Sequence, residues 1–527
     1  MNTNELSYTI VALAPFVPID GSRKIEIHEV DVDTIDSVIE SLSPKLWISL
    51  PQAICPEGGI TVAPRRMKDL TPDGVIDCVP YLKNLFDAKE FIKASDARGA
   101  SPEEIASLVR KNWPDLHLDL TLPQTQKEKS SGGSPIDDIL AMVAMPGGVS
   151  AWDDKKATVS WLNEIDGRIS TIISHVFSDA QWRMFESAWR GLEVFFKKGQ
   201  KRREKKVEMR IVPVSYDTLS SAIDVLSERL GGKLPGLIII DVPFDQTPRS
   251  QELLERIASF VSTMLVPTAI WIIPGFLGIS KWDELHKLPY LKTHMDNAFF
   301  AKWHKLRESP DGNWLAALAG RFLVRPSYGK DLRARKVFFE ETAPLWVSPV
   351  WALAALVAQS IEKFGWPSRF TDYMNIRLSD LEVFYEPGGS AYSTETLFSD
   401  DRIRQFAEIG ITALCGVSKQ DTAFFPRGVV ASGESLPFQL LFSRIIGYLV
   451  RMREHAPKYT DDSATASDYV RHALERLFKD AGCGLPRDMD VTEGGANENG
   501  LVPIRIVFTV SEDILPVARK VEFTFLW

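Results

Sequence analysis

Cysteine is scarce in this 527-residue chain, which has only four. They are too few and too scattered for a disulfide framework, and no pair has the CxxC spacing of a zinc site. The cysteines are Cys55, Cys78, Cys415 and Cys483. The eight histidines are also dispersed; His286, His294 and His304 form a loose cluster whose spacing fits no common metal rule. We therefore expect no metal and no cofactor, and the cysteine content is typical of a reducing cytoplasm.

Long apolar runs are missing as well. The first residues have no basic segment before their apolar stretch, which ends at Pro15 and Pro18, so we expect no secretory signal. The most membrane-like segment begins at Leu436 but carries Gln439 and Arg444 in its middle, which would be costly in lipid. This segment predicts a buried amphipathic helix, and we expect a cytoplasmic protein without direct membrane insertion.

Common catalytic motifs are absent, since the chain has no GxxxxGK[ST], GxGxxG, HExxH or GxSxG string. The best enzymatic candidates are Asp241 and Asp245, which follow the buried run GLIII, a position where α/β enzymes often hold catalytic groups. The alternative is that Asp245 and Thr247 organise the turn and cap the helix that follows Pro248. We favour this alternative, so the chain is not expected to be an enzyme.

The net charge of −9 disfavours nucleic acid and anionic membranes as partners. One basic run, residues 197–206 (KKGQKRREKK), could reverse the charge locally and hold phosphates or an acidic protein surface. The run has no interleaved aromatic residues for base stacking, which favours a solvated face. We expect no nucleic-acid partner, and polyanion binding is a further alternative.

The chain divides into two regions at a polar segment. Residues 1–122 alternate strand and helix patterns and end with two helices capped by Thr71 and Ser101. Residues 123–135 are rich in Ser, Gly, Lys and Glu without apolar periodicity, which is typical of a flexible linker. Residues 136–527 form the second region, with a core at about 180–435 and a helix with two strands at about 436–527.

The second region opens with two amphipathic helices, the later one capped by Ser178. Apolar runs then alternate with helical patterns: VEMRIVPVS, GLIIIDVPF and TAIWIIPGF. Such alternation predicts βαβ units and a partly parallel sheet covered on both faces. The expected fold class is mixed α/β in a multi-domain chain, with helices flanking mixed sheets and with β-strands at both termini.

Two segments near the C-terminus alternate apolar and polar residues and predict strands. A two-stranded ribbon is marginal in water, so it needs a third strand, for which the N-terminal segment SYTIVAL is a candidate. The pairing could close a sheet within one chain or join neighbouring copies, and the strands alone favour the first. The residues concerned are Tyr8, Ile10, Ala12, Ile504, Ile506, Phe508, Val521, Phe523 and Phe525.

Several strings in the second region resemble the large (TssC/VipB-like) sheath subunit of bacterial type VI secretion systems. They are WRGL from Trp189, LRES from Leu306, the RFL-x-R-x-x-YG string from Arg321, the DVPFDQTP turn and the segment from Leu397. The motif positions are Trp189, Arg190, Gly191, Arg321, Arg325, Tyr328 and Gly329. The first region is similar to the small (TssB/VipA-like) subunit through Thr71, Pro72, Asp73, Val79, Pro80 and Leu82.

The resemblance implies that both sheath subunits, usually separate polypeptides, are joined end to end here. It implies a helical homopolymer in the bacterial cytoplasm that surrounds an inner (Hcp-like) tube, meets a baseplate and contracts to drive the tube through a membrane. Strands at the two chain ends would then pair between copies. The segment recognised by a disassembly AAA+ ATPase is shorter here, which puts that partner in doubt. The sheath of a phage-tail-like contractile injection system is an alternative.

Overall fold

The computed structural model describes residues 7–18, 24–55, 57–120, 148–200, 206–230, 234–330, 332–386, 389–455, 465–497 and 501–527. The expected linker, residues 123–135, lies outside these ranges. The chain forms two compact units. Unit 1 comprises Met1–Val38, Met184–Pro326 and Pro344–Trp527, and unit 2 comprises Ile39–Arg183 and Ser327–Ala343. Each unit therefore contains segments from both sequence regions.

The strands are numbered in chain order. They are β1 Tyr8–Ala14, β2 His28–Val30, β3 Leu46–Ser49, β4 Gly59–Val62, β5 Val207–Pro213, β6 Leu237–Phe244, β7 Thr268–Ile272, β8 Leu315–Ala319, β9 Phe322–Arg325, β10 Leu345–Val347, β11 Phe384–Tyr385, β12 Ala391–Tyr392, β13 Ile411–Ala413, β14 Cys415–Gly416, β15 Ala423–Phe424, β16 Arg487–Glu493, β17 Pro503–Val510 and β18 Arg519–Leu526.

The α-helices are numbered in the same way. They are α1 Ile35–Leu42, α2 Pro72–Cys78, α3 Pro80–Ala97, α4 Pro102–Asn112, α5 Gly148–Ser178, α6 Ala180–Val194, α7 Leu219–Arg229, α8 Pro248–Met264, α9 Leu291–Met295, α10 Ala301–Glu308, α11 Pro349–Phe364, α12 Asp400–Glu408, α13 Leu436–His455 and α14 Ala466–Asp480.

Unit 1 is built on a seven-stranded sheet in the order β13-β8-β7-β6-β1-β5-β2. Neighbouring strands run parallel except β2, which is antiparallel to β5. The predicted βαβ unit is confirmed, because β6 and β7 are parallel neighbours joined by α8. The N-terminal strand β1 lies inside this sheet, with β5 on one side and β6 on the other.

Both faces of this sheet are covered, which explains why its strands are continuous apolar runs. On one face, Val11 and Leu13 of β1 pack in a core cluster with residues of α7 and α8. Alternate residues such as Ile10 and Ala12 point to the other face and are fully buried. Helix α11 packs against β6, β7 and β8, and its residues from 349 to 358 are all buried.

A second sheet of unit 1 has the order β16-β17-β18 and is antiparallel throughout. Its inner face packs on α13 and α14, the first of which is the buried amphipathic helix predicted from Leu436. Within this chain the third strand of the sheet is β16, not the N-terminal segment. We call these three strands the C-terminal sheet.

Unit 2 combines the β3–β4 hairpin, helices α2 to α5 and residues 327–343. The predicted caps are confirmed: the Thr71 side chain accepts from the Gly74 N–H, and that of Ser101 accepts from the Glu104 N–H. Helix α3 packs against α5, with an ion pair between Lys89 and Asp166 at 2.5 Å.

One predicted cap is wrong. Ser178 is the last residue of α5, and it is the Asp179 carboxylate that accepts a hydrogen bond from the Trp182 N–H at 2.9 Å in the first turn of α6. An Asp is as good an N-cap as a Ser, so the short break between the two helices falls one residue later than the sequence suggested.

Candidate functional site

The first three candidate pairing residues, Tyr8, Ile10 and Ala12, lie in β1 and are buried. Backbone pairing on one side runs from Tyr8↔Val207 to Ala14↔Pro213, and on the other side β1 pairs with the start of β6. The Tyr8 hydroxyl donates to the Gly236 carbonyl at 2.7 Å, and burial raises the pKa of Tyr8 above its usual range. Both edges of β1 are thus occupied by strands of the same chain.

The other candidate pairing residues lie in the C-terminal sheet and share its inner face, as the alternation predicted. They form directly opposite pairs across the two strands: Ile504↔Phe525, Ile506↔Phe523 and Phe508↔Val521. Their side chains pack against residues of α13 and α14. These apolar side chains therefore attach the sheet to its helices, and any pairing with a neighbour would use backbone groups at the sheet edges.

Three of the four residues of the WRGL motif in α6 are buried, namely Trp189, Gly191 and Leu192. The Trp189 indole donates to the Phe16 carbonyl at 3.1 Å and meets the Phe16 ring edge-on at 4.9 Å between centroids. A Cβ built on Gly191 would lie 2.4 Å from the Trp351 ring of α11. The glycine is therefore what allows α6 and α11 to approach each other so closely.

A buried ion pair joins α6 to β9. The Arg325 guanidinium donates through Nε and Nη2 to the Glu186 carboxylate at 2.9 and 3.0 Å, and Glu186 is fully buried. Arg190 of the WRGL motif lies 3.8 Å from the same carboxylate and pairs with Glu193 at 2.8 Å. Two-point pairing of this kind fixes orientation as well as distance. Glu186 was missed in the sequence because it lies far from its partner along the chain.

The remaining motif residues are also structural. Arg321 makes a two-point ion pair with Glu395, with distances of 2.9 and 2.6 Å. In unit 2 the Tyr328 N–H donates to the Glu341 carboxylate at 3.1 Å, which also pairs with Arg183 at 2.7 Å. Gly329 has a φ of +150°, a conformation that favours glycine.

Unit 2 contains a link between the two sequence regions. The Asp73 carboxylate in the first turn of α2 accepts from the N–H groups of Arg335, at 3.1 Å, and Lys336, at 2.9 Å. Lys336 also pairs with Asp77 through its ammonium group. Asp73 belongs to the small-subunit string, whereas residues 335 and 336 follow the large-subunit motif. Nothing in the sequence near either segment identifies the other as its partner.

The two candidate catalytic carboxylates have structural roles. Asp241 is buried and accepts a hydrogen bond from the Trp351 indole at 2.7 Å, and burial raises the pKa of its carboxyl group. Asp245 accepts from the N–H and hydroxyl of Thr247 at 2.9 and 2.6 Å. Thr247 caps α8 by accepting from the Ser250 N–H, so the capping interpretation is confirmed.

The three clustered histidines each bond to a backbone carbonyl. His286 contacts the Asp283 oxygen at 2.6 Å, His294 that of Leu277 at 3.0 Å and His304 that of Met295 at 2.8 Å. Within the described ranges, His, Cys, Asp and Glu residues form no group of three or more that could hold a metal ion.

Only the ends of the basic run are described. Lys197 pairs with Glu193 at 2.6 Å and Lys198 with Asp380 at 3.4 Å, whereas residues 201–205 lie outside the described residues. Of the helices in the described part, none combines the length and apolar character needed to cross a membrane.

Two parts of the chain match families of known proteins. Residues 160–429, slightly more than half of the chain, match the VipB family, described as EvpB/VC_A0108, tail sheath N-terminal domain. Residues 4–111 match the type VI secretion system family of VipA, VC_A0107 or Hcp2. The first match is to a tail sheath family and the second to a type VI secretion system family. The chain belongs to the VipB tail sheath family and carries a VipA segment ahead of it, as the sequence resemblance predicted. The family is one of structural sheath proteins and not of enzymes.

Individual relatives are more distant. The chain is similar to the type VI secretion system sheath protein TssC1 of Pseudomonas aeruginosa PAO1, with 24% identity over 305 residues covering 52% of this chain and 61% of that protein. The chain thus spans about three fifths of that relative's length. Among solved structures, it is similar to a chain of the anti-feeding prophage baseplate, with 11% identity, a TM-score of 0.36 and coverage of 64% and 76% of the two chains. The contracted helical sheath of that prophage matches with 11% identity, a TM-score of 0.30 and coverage of 64% and 78%.

Proposed function

We propose that this chain polymerises into a helical sheath around an inner, Hcp-like tube in the bacterial cytoplasm and contracts to drive the tube through a membrane. The observation that carries the proposal is the order of the two family matches, VipA at residues 4–111 and VipB at residues 160–429, on one polypeptide. One chain thereby supplies both kinds of sheath segment in a fixed one-to-one ratio. We propose residues 1–122 and 136–527 as the two domains and residues 123–135 as the linker.

The interleaving of the two regions supports a single sheath building block. Strand β1 of the first region lies between β5 and β6 of the second, and Asp73 holds the backbone of residues 335 and 336. A tether between such halves raises their effective mutual concentration to about millimolar, which favours correct pairing within one chain.

Neighbouring copies would be joined by strand pairing at the C-terminal sheet, where Val521, Phe523 and Phe525 lie in the edge strand β18. Ile504, Ile506 and Phe508 lie in β17, which is paired with β16 and β18 within the chain, so pairing between copies through β17 would require one of those strands to leave. Backbone hydrogen bonds across such a contact let copies rotate while they remain attached. For Tyr8, Ile10 and Ala12, pairing between copies would require β1 to leave its position and take the same position in a neighbour.

The proposed partners beyond further copies are the inner tube and baseplate components. The short segment between linker and core argues against a disassembly ATPase as a further partner. A phage-tail-like contractile injection system is the alternative setting, because the prophage structures similar to this chain are a baseplate and a sheath. A tube-protein gene beside this one, within a set of secretion genes, would favour the secretion system over the particle.

The test is electron microscopy of the purified protein, alone and co-expressed with the neighbouring tube protein. We expect hollow tubes with cogwheel-shaped ends. A matched control is the same chain with Phe508→Asp, which places a carboxylate in the inner face of the C-terminal sheet and should abolish tubes by disrupting that sheet. Wild-type protein that stays monomeric at high concentration with the tube protein present would refute the proposal.

A further inference from the structure

A small cavity lies where the start of strand β1 meets helix α13. Its volume is about 20 Å³, and its described lining comes from residues 7–9, residues 234–236 before β6, the middle of α13 and Leu477 of α14. All of these residues belong to unit 1. A space of about 10–15 Å³ is enough to hold one water molecule, so this cavity has room for a single species of about that size.

Both charged side chains in the described lining are cationic. Arg444 and Arg451 lie on one face of α13, separated by two helical turns or about 10.5 Å along the axis, and no carboxylate is present in this described lining. Burial lowers the pKa of the Arg444 guanidinium to about 10, and the charge of Arg451 acts in the same direction. The two guanidinium groups are therefore close enough to repel each other.

The partners of Arg444 hold its guanidinium in place without neutralising it. Nη1 donates to the Gly365 carbonyl at 2.5 Å, and the group lies 5.0 Å from the centroid of the Trp366 ring. Neither partner carries a charge. A buried cation is costly unless it is paired with an anion, so these contacts leave the charge of Arg444 uncompensated.

The remaining groups that act electrostatically on Arg444 are also neutral. Among the described residues they are Tyr8 and Cys483, apart from Arg451. Burial raises the pKa of the Tyr8 hydroxyl and of the Cys483 thiol, so both keep their protons at neutral pH. The described part of the chain therefore supplies no negative charge to this site.

Two neighbouring positions on α13 leave room and a hydrogen-bond donor for a ligand. Ser443 is 5% exposed and lines the cavity, and its hydroxyl has no hydrogen-bond partner within the described ranges. Gly447 lies between the two arginines, and apart from the adjacent residues and the nearby backbone of the helix no described atom lies within 4 Å of a Cβ built there. Glycine inside a helix costs about 1 kcal/mol relative to alanine, so this position loses helix stability and keeps the space open.

We propose that this cavity is a chloride site, in which the anion lies between the guanidinium groups of Arg444 and Arg451 and accepts a hydrogen bond from the Ser443 hydroxyl. A monatomic anion matches the volume, whereas phosphate and carboxylate groups contain several heavy atoms and need more space. Because the lining joins β1 to α13, bound chloride stabilises the packing of α13 against the seven-stranded sheet. The site is independent of the proposed sheath function, and its tests use the monomer.

The first test is thermal melting of the wild type in sodium chloride and in sodium gluconate at the same ionic strength. Gluconate is too large for the cavity, so only chloride can bind the folded state there. We expect the melting temperature to rise by about 2 °C or more as chloride replaces gluconate, and to level off once the site is full. Equal melting temperatures in the two salts would overturn the proposal.

Two variants locate the effect. Arg444→Met removes one cation and keeps a long side chain, and Gly447→Ala fills the space and keeps both cations. Each should abolish the chloride-dependent shift. The matched controls are Arg476→Met on α14, which removes an arginine paired with Asp480, and Gly167→Ala on the exposed face of α5; both should keep the full shift. A shift that survives in either cavity variant would overturn the proposal.

Anomalous diffraction from crystals of the wild type grown in sodium bromide decides the matter if the cavity variants do not fold. Bromide has the charge of chloride and nearly its size, and it scatters anomalously. We expect a bromide peak in contact with the Arg444 guanidinium and the Ser443 hydroxyl. A cavity that contains only water, or no peak at all, would overturn the chloride site and leave the sheath function standing.

Discussion

Replacing Leu13 with alanine tests whether β1 belongs to the core of its own chain. Leu13 is 1% exposed and packs in the cluster formed by β1, α7 and α8. Its backbone pairs with Val212 on one side and Ile240 on the other, so neighbouring strands limit any collapse around the shortened side chain. A buried Leu→Ala change of this kind lowers the free energy of unfolding by about 2–5 kcal/mol. That loss is a large fraction of the free energy of unfolding of a typical protein, which is about 5–15 kcal/mol.

The assay is urea denaturation of monomeric protein, kept below the concentration at which it polymerises and followed by tryptophan fluorescence. Thr9→Ala is the control on the same strand: Thr9 is only half-buried and its hydroxyl reaches Glu208 at 3.5 Å, so we expect a loss below about 1 kcal/mol. If β1 were ordered only by pairing with a neighbouring copy, Leu13→Ala would leave the monomer unchanged and impair polymerisation alone. A monomer destabilised by less than about 1 kcal/mol would refute the burial of β1 within its own chain.

Three further changes test the motif contacts. Glu186→Gln leaves a buried arginine without its counter-charge and should cost about 3–5 kcal/mol of unfolding free energy, measured by urea denaturation. Gly191→Ala forces a methyl group against the ring of Trp351 and should lower the free energy of unfolding by about 1–3 kcal/mol. Its control is Gly167→Ala: Gly167 is exposed on α5, and apart from the adjacent residues and the nearby backbone of that helix no atom lies within 4 Å of a Cβ built there. Thermal melting should show the control to be as stable as the wild type or more stable. Burial raises the pKa of the Asp241 carboxyl group, so the folded state keeps this proton to a higher pH than the unfolded state does. The free energy of unfolding should therefore fall as the pH rises from the ordinary carboxyl pKa to the raised pKa of the folded state. Asp241→Asn should remove this pH dependence in thermal melts and leave polymerisation intact.

Local patterns in the sequence predicted much of the fold. The runs around β6 and β7 are apolar on both faces, and the Thr-Pro step at 247 and 248 marks a helix start, so the βαβ unit could be derived from neighbouring residues alone. The caps at Thr71 and Ser101 follow from the same kind of local signal. In each case the hydrogen bonds that form the element join residues a few positions apart.

The sequence did not predict β16, for a physical reason. Of its seven residues only Val491 is buried, because the strand lies at an edge and most of its side chains face solvent. A strand with the sequence RDMDVTE shows neither apolar alternation nor β-branched enrichment, which are the signals that identify strands. These residues carry no signal that identifies β16 as the third strand, and the sequence offers the N-terminal segment SYTIVAL as the candidate instead.

Contacts between distant segments could not be predicted from the sequence either. The partner of Glu186 is 139 residues away, and the partner of Asp73 is more than 260 residues away. Motif resemblance identified Arg325 and Asp73 as family positions, but it could not say which groups they bind. Such pairs depend on how elements pack, which local periodicity does not encode.

The difference between β1 and β18 also bears on how copies can be joined. For β1 to pair with a neighbour, the ladders with β5 and β6 must first break, and buried residues such as Val11 must leave the core. That exchange removes as many hydrogen bonds as it forms and passes through a state with exposed apolar side chains, so its barrier is high. Within the described sheet β18 pairs with β17 alone, so pairing at its other edge would leave the β17–β18 hydrogen bonds intact. Assembly from folded monomers should therefore proceed through the C-terminal sheet, and any exchange of β1 should be slow on the timescale of polymerisation.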